Sequence, residues 1–173
     1  MKILVIVESL EAGNFHRGIV NGFLASGHDI RILMGPRNSG MNTIEFEMKL
    51  MESFVSFRPD ILYVLKGALV SKHVVELLGR HCQTINHQVD DPYEMRTSES
   101  LCLAAPYEFV FTTDKSSFPD YRKRGGVLLF GADPIFHRPA SHIAKDLDVS
   151  FVGSIYPERE RFVKAVPGGV KVW

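Results

Sequence analysis

The sequence predicts an α/β fold: a doubly wound, mostly parallel Rossmann-like sheet with helices on both faces, followed by a short strand–helix–strand tail. Three observations carry this expectation. Apolar runs such as Ile3-Leu4-Val5-Ile6-Val7 and Ile61-Leu62-Tyr63-Val64-Leu65 are continuous rather than alternating, as in parallel strands covered on both faces. Between such runs lie segments whose apolar residues recur at helical spacing. The composition, 45% hydrophobic and 23% charged in 173 residues, is that of a globular chain able to bury a core without disulfides or metals.

The elements follow in order. The first strand, 3–7, runs into the polar loop Glu8-Ser9-Leu10-Glu11-Ala12-Gly13-Asn14. Residues 16–28 read as a helix, with Ile19, Val20, Phe23 and Leu24 on one face and Gly27 as its stop. Ile30–Met34 is the second strand, so this unit predicts two parallel, adjacent strands. Residues 35–43 read as a loop with two glycines and a proline. An amphipathic helix follows through Ile44, Met48, Met51 and Val55, ended by Pro59 and Asp60. The third strand is 61–65. A helix over 69–81 stops near Gly79, and Gln83–His87 is a shorter, more polar fourth strand.

After Gln88-Val89-Asp90-Asp91-Pro92 a helix is expected from Tyr93 to Ala105, broken by Pro106. Glu108–Thr112 is the fifth strand, Ser116–Lys123 a short helix, and Val127–Phe130 the sixth strand. The strand order expected of this layout is 3-2-1-4-5-6. Residues 1–140 thus form a Rossmann-like domain, and 141–173 a linker and an incomplete further unit. That unit comprises a strand at 149–152, a helix at 157–166 and a strand at 170–173. It is too small for a core of its own. Three fates are open to it: joining the edge of the first sheet, fraying, or pairing with another copy as a homodimer.

Composition and motifs exclude several classes. Twenty basic side chains balance twenty acidic ones, which gives no general attraction to nucleic acid. No segment approaches the length of a membrane span, and Glu8 cuts short the only stretch resembling a secretion signal, so a cytoplasmic protein is expected. Cys82 and Cys102 make no disulfide framework. The first loop lacks GxGxxG, and no GxxxxGK[ST] or GxSxG occurs, which disfavours a dinucleotide fingerprint, a P-loop and a hydrolase nucleophile elbow. The seven histidines form no metal-ligand spacing, so no metal is expected. Arg122, Lys123 and Arg124 read as a solvated charge run at a helix end.

Open α/β sheets bind ligands beyond the carboxyl ends of their strands, at the switch in strand order. With the expected order, that crevice lies between the first and fourth strands. Gly13 there is a turn or a point of close backbone approach, and Asn14 is a helix cap or a ligand contact. His16, in the first helical turn, is a surface histidine or a base oriented by Glu11. Asp91 before Pro92 suits a helix cap, which leaves Asp90 to face the crevice and accept from a sugar hydroxyl. His87 is a buried, hydrogen-bonded residue or a ligand contact. Ser116 and Ser117 read as turn and cap residues.

Several segments together resemble a family. They are MKILVIVES, FRPDILYVLKG, VDDP, FTTD, LLFGADPIFHRP and DVSFVGSIYPERERF. In this order they resemble the spore-maturation-protein-B-like glycosyltransferases, a branch of the two-domain GT-B enzymes. The resemblance implies transfer of a sugar from a nucleotide-sugar donor to an acceptor, with no covalently bound cofactor. It implies that the first domain faces the acceptor while the second supplies most of the donor site. Gly13 would approach the donor phosphates, Gly153 and Ser154 would begin the second-domain phosphate loop, and Asp90 and Asp91 fall where the family has paired aspartates. The sequence ends soon after the second domain begins, so the isolated chain is expected to be inactive. The competing expectation is a non-catalytic Rossmann-like binding or regulatory module.

Overall fold

Six parallel strands make the main sheet of the computed structural model, which describes residues 1–11, 15–66, 70–89, 99–129, 131, 133, 150–151, 153, 156–167 and 170–172. In chain order its elements are β1 (Lys2–Val7), α1 (Phe15–Ala25), β2 (Asp29–Met34), α2 (Pro36–Ser39), α3 (Thr43–Phe57), β3 (Ile61–Leu65), α4 (Lys72–Leu78) and β4 (Gln83–Gln88). They continue with α5 (Glu99–Ala104), β5 (Phe109–Thr112), α6 (Phe118–Tyr121) and β6 (Arg124–Val127). The chain divides into two units, Met1–Arg138 and Pro139–Trp173.

The sheet order is β2-β1-β3-β4-β5-β6. This corrects the expected 3-2-1-4-5-6: β3 lies beside β1, and β2 is at the edge. From β1 the chain steps outward to β2, then returns past β1 to β3. Crossovers between parallel strands are right-handed, so this reversal places α1 and α3 on opposite faces. Burial follows from it. Ile3, Val5 and Val7 pack with Val20, Tyr63 and Leu65 on the α1 side. Leu4 and Ile6 pack with Phe46, Leu50, Val74, Val75 and Leu78 on the side of α3 and α4. Both sets of β1 side chains are buried, which is why the run carries no polar alternation.

Local chemistry fixes the helix ends. Asn42 accepts from the Glu45 N–H at 3.0 Å while the Glu45 carboxylate accepts from the Asn42 N–H at 2.9 Å, a reciprocal cap that starts α3. The stretch expected to be loop forms α2 within it, with Pro36 in its first turn, where a missing N–H costs nothing. Of the helix expected over 93–105, the described part is α5. The sixth strand lies earlier than expected, at Arg124–Val127, leaving Leu128 and Leu129 exposed. Glycine explains the shift. At Gly125, φ is 138°, and a Cβ there would meet the Val110 carbonyl oxygen at 1.8 Å, so only glycine lies this close against β5.

In the second unit, β7 (Ser150–Phe151) and β8 (Lys171–Val172) pair in parallel as a separate two-stranded sheet. The helix between them, α7 (Pro157–Ala165), buries no residue. The tail strands therefore pair with each other and add nothing to the six-stranded sheet. Cys82 and Cys102 are unbridged, and no helix among the described residues is long and apolar enough to cross a membrane.

Candidate functional site

The reversal in strand order falls between β1 and β3, so the topological crevice opens there, with the end of β4 on its flank. The expected site between the first and fourth strands is corrected accordingly: β3 stands between them. The end of this region is stiffened by amides. Gln88 Nε2 donates to the Lys66 carbonyl and to Asn86 Oδ1, each at 2.8 Å, and Asn86 Nδ2 donates to the Val64 carbonyl at 3.2 Å. Lys66 itself takes a left-handed φ of 66°, so the chain turns sharply as it leaves β3.

At this end of the sheet His16 is near enough to lower the His87 pKa, and the two rings present different chemistry. His16 occupies the first turn of α1 and is almost wholly buried, with Nδ1 3.1 Å from the Ser9 carbonyl oxygen. A carbonyl only accepts, so Nδ1 carries the proton and Nε2 the lone pair. Burial pushes the His16 pKa below 6.5, the Ser9 carbonyl pulls it back up, Lys66 lowers it and Glu8 raises it. The orienting group is thus the Ser9 backbone and not Glu11. Glu11 is exposed, and its N–H donates to Ser9 Oγ at 3.2 Å.

His87 has the opposite tautomer. Its Nδ1 lies 2.7 Å from Oη of Tyr63, on the neighbouring strand, and both side chains are buried. The Tyr63 ring is held edge-on by Phe23, with centroids 5.1 Å apart. Burial drives the Tyr63 phenol well above its ordinary range, so it keeps its proton and donates it to Nδ1. The neutral His87 ring then carries its own proton on Nε2, which has no hydrogen-bond partner among the described residues. Burial lowers the His87 pKa. The Leu128 backbone raises it, and the nearby His16 lowers it further.

A cavity of about 270 Å³ lies against His87. Phe15, Gly18 and Ile19 of α1 form one wall; Leu128, Leu129, Gly131 and Asp133 form another. His16 is not among the residues that line it. The Asp133 side chain is buried and accepts from Asn21 Nδ2 at 2.8 Å, which ties the segment after β6 to α1. Sequence reasoning missed Asp133 as a site residue, although it stands inside the LLFGADPIFHRP segment. Its signal was position: it follows the carboxyl end of a strand, where this class of sheet binds ligands.

The other sequence-derived candidates are placed as follows. Gly13, Asn14, Asp90, Asp91 and Ser154 lie outside the described residues. Gly153 belongs to the second unit, at φ 150°. The Arg122 backbone closes α6 in a left-handed conformation, and Arg124 pairs with Glu108 at 3.0 Å while covering the Phe109 ring, so the Arg124 side chain serves the local fold. In the FTTD segment, Asp114 accepts from the backbone N–H groups of Ser116 and Ser117, at 3.0 and 2.8 Å, and from Ser116 Oγ. The side chain of Ser117 first, then the side chain and backbone N–H of Ser116, pull its carboxyl down to about 2. Among the described residues no group of three or more His, Cys, Asp and Glu is arranged to hold a metal ion.

A larger groove of about 580 Å³ lies between α3 and α4, bordered by Phe54, Arg58, Asp60 and His81. It sits at the opposite, amino end of the strands, away from the switch point, and neither His16 nor His87 is part of it.

No family model matches the chain, and no curated protein matches it in sequence. Solved structures do match in fold. The spinosyn rhamnosyltransferase SpnG complexed with thymidine diphosphate aligns with a TM-score of 0.53 at 14% identity, over 99% of this chain and 64% of that one. A further structure of the spinosyn rhamnosyltransferase SpnG gives 0.54 at 16%, with the same shares. The mostly parallel, six-stranded Rossmann-like fold is therefore one that this chain shares with a glycosyltransferase, and the chain spans less than two thirds of that enzyme's length.

Proposed function

We propose that residues 1–138 are the acceptor-side half of a sugar transferase that uses a nucleotide-sugar donor, of the spore-maturation-protein-B-like type. The observation that carries this reading is the convergence of His16 and His87 at the carboxyl end of a sheet whose fold matches a glycosyltransferase. Sugar transfer needs a group that takes the proton of the acceptor hydroxyl as its oxygen bonds to the anomeric carbon and the nucleoside diphosphate leaves with the electron pair. His16 suits that role: burial keeps it neutral near pH 7, and its Ser9 bond leaves the lone pair on Nε2. Asp90 and Asp91 are proposed as further contacts to acceptor or donor. Gly153 and Ser154 are proposed as the start of the phosphate loop.

The test is a titration of the chain with nucleoside-diphosphate sugars and candidate acceptors, reading heats and histidine ring signals, with released nucleotide as the measure of turnover. The reading expects donor or acceptor to perturb His16, and His16→Ala to lower any turnover by about 10²–10⁴-fold. A folded chain whose histidines respond to no sugar or nucleotide-sugar would remove the proposal. One observation favours the second reading, a non-catalytic binding module: His16 is buried and does not line the cavity. Binding of a sugar with wild-type affinity by His16→Ala, and no turnover by either protein, is the result that module would give.

A further inference from the structure

Helix α3 carries two apolar stripes, and the fold buries only one of them. Phe46, Leu50 and Phe57 enter the core. Ile44, Met48, Met51 and Val55, the stripe that marks the helix in the sequence, lie on the other side. Ile44 is 72%, Met48 61% and Val55 67% exposed, and Met51 is half-buried. At 3.6 residues per turn this second stripe is about 60° wide and roughly opposite the first. Its spacing of four, three and four residues is that of a coiled-coil seam, the pattern with which one helix meets another.

The stripe borders a continuous trough between α3 and α4. One half, about 420 Å³, is lined by Ile44 and Met48 and carries the carboxylates of Glu47 and Glu52. The other half is the 580 Å³ groove, lined by Phe54 and Val55 and carrying Arg58 and His81. Asp60, also in that groove, accepts from the Lys2 backbone N–H at 2.7 Å. Met51 and Leu77 line both halves. The trough is thus complementary to itself: protruding apolar side chains and carboxylates at one end, the larger hollow and a guanidinium at the other.

The spacing about Met51 matches the two ends. Ile44 and Arg58 stand seven residues either side of it, about 10 Å along the helix, and Met48 and Phe54 stand three residues either side. A two-fold axis at Met51 lays Ile44 and Met48 of each copy over the Phe54–Arg58 end of the other, in both directions at once. It also brings Glu47 within one turn of the second copy's Arg58. We propose that this trough is a homodimer interface, in which the α3 helices of two copies pack antiparallel about Met51. With α3 about 22 Å long and α4 about 10 Å away, the face covers roughly 400 Å² per copy, half of a standard interface. The pair is therefore weak and reversible, with a dissociation constant between about 10 µM and 1 mM. Glu52, one residue past Met51, meets its own copy near the axis, and that repulsion weakens the pair further. The inference is independent of sugar transfer, because no residue of the trough lines the 270 Å³ cavity.

The experiment is sedimentation equilibrium of the 173-residue chain in low salt, from about 10 µM to 1 mM, with circular dichroism of every variant. The weight-average mass should rise with concentration from 19.5 kDa towards twice that value and level there. Met48→Lys and Val55→Lys, both at exposed positions, should keep the fold and weaken pairing at least tenfold. Glu52→Gln should tighten it severalfold. Arg58→Glu and Glu47→Lys should each weaken it, and the two together should recover most of the loss. Glu47 also accepts from the Ser71 N–H at 3.1 Å, and that bond is lost equally in the single and double variants, so it cancels from the comparison.

A chain that stays at 19.5 kDa up to the highest concentration would overturn the proposal. So would a dimer that Met48→Lys leaves intact, since the contact would then lie elsewhere. A monomer whose Met48 and Met51 methyl signals shift when a synthetic amphipathic helix is added would give the face to a different partner, and would overturn the homodimer equally.

Discussion

Replacing Tyr63 by phenylalanine removes one oxygen atom, and its cost can be worked from the geometry. The lost bond is the 2.7 Å contact from Oη to His87 Nδ1, between side chains that are 5% and 2% exposed, so water cannot take the phenol's place. A neutral hydrogen bond contributes about 0.5–1.5 kcal/mol net, and stranding a buried polar atom costs about 1–3 kcal/mol. These describe overlapping parts of one loss, so Tyr63→Phe should destabilise the fold by about 1–3 kcal/mol. That is a sizeable part of a typical 5–15 kcal/mol. With a urea slope of about 2–3 kcal/mol per molar, the unfolding midpoint followed by far-ultraviolet circular dichroism should fall by roughly 0.3–1.5 M at unchanged slope.

Tyr107→Phe is the matched control. Tyr107 is equally buried, but its hydroxyl has no partner among the described residues, so its removal should be neutral or stabilising by up to about 1 kcal/mol. Equal losses in both variants would refute the reasoning, because the hydroxyl's packing rather than its bond would then set the cost. So would a Tyr63→Phe protein within about 0.3 kcal/mol of wild type, a margin well below any buried hydrogen bond.

Further expectations follow from the same coordinates. Gly125→Ala should cost roughly 2–5 kcal/mol in a urea melt, because the new Cβ meets the Val110 carbonyl at a φ that L-residues avoid; a melt unchanged from wild type would show that β6 does not lie against β5 as described. Both histidines have folded pKa values below 6.5, so their contribution to stability is complete above that pH and is lost as pH falls from 6.5 towards the folded values. Each can add up to about 1.4 kcal/mol per pH unit to the slope, and His87→Gln should remove its share in melts taken between pH 7 and pH 5. Asn42→Ala breaks the reciprocal cap of α3 and should cost about 0.5–2 kcal/mol, read by thermal melting, while Asn42→Asp should cost less.

Much of the fold was legible because it is written locally. Continuous apolar runs marked β1 and β3, since both faces of a central parallel strand are covered, and helical spacing marked α1 and α3. The short pieces were less legible: α2 was hidden in a loop of glycine and proline, and β6 was displaced because its reason for being a strand is the lack of side chains at Gly125 and Gly126. His16 and His87 were found by position in the chain, one in the first turn of the helix that follows β1 and the other at the end of β4. Their tautomers were not legible, because the partners that fix them are a backbone carbonyl at Ser9 and a phenol 24 positions away. Asp133 was passed over because its bond to Asn21 spans 112 positions.

By itself the sequence determined that this is a parallel α/β chain, with strands and helices alternating and with polar loops at the strand ends. Periodicity and apolar runs are properties of neighbouring residues, so no tertiary knowledge was needed for them. The tertiary structure alone decided that β3 rather than β4 lies beside β1. Right-handed crossovers are compatible with either arrangement, and only the packing of both faces of β1 chooses between them. It also decided that one buried histidine presents a lone pair and the other a proton, because a ring nitrogen's role is set by the group that packs against it in space.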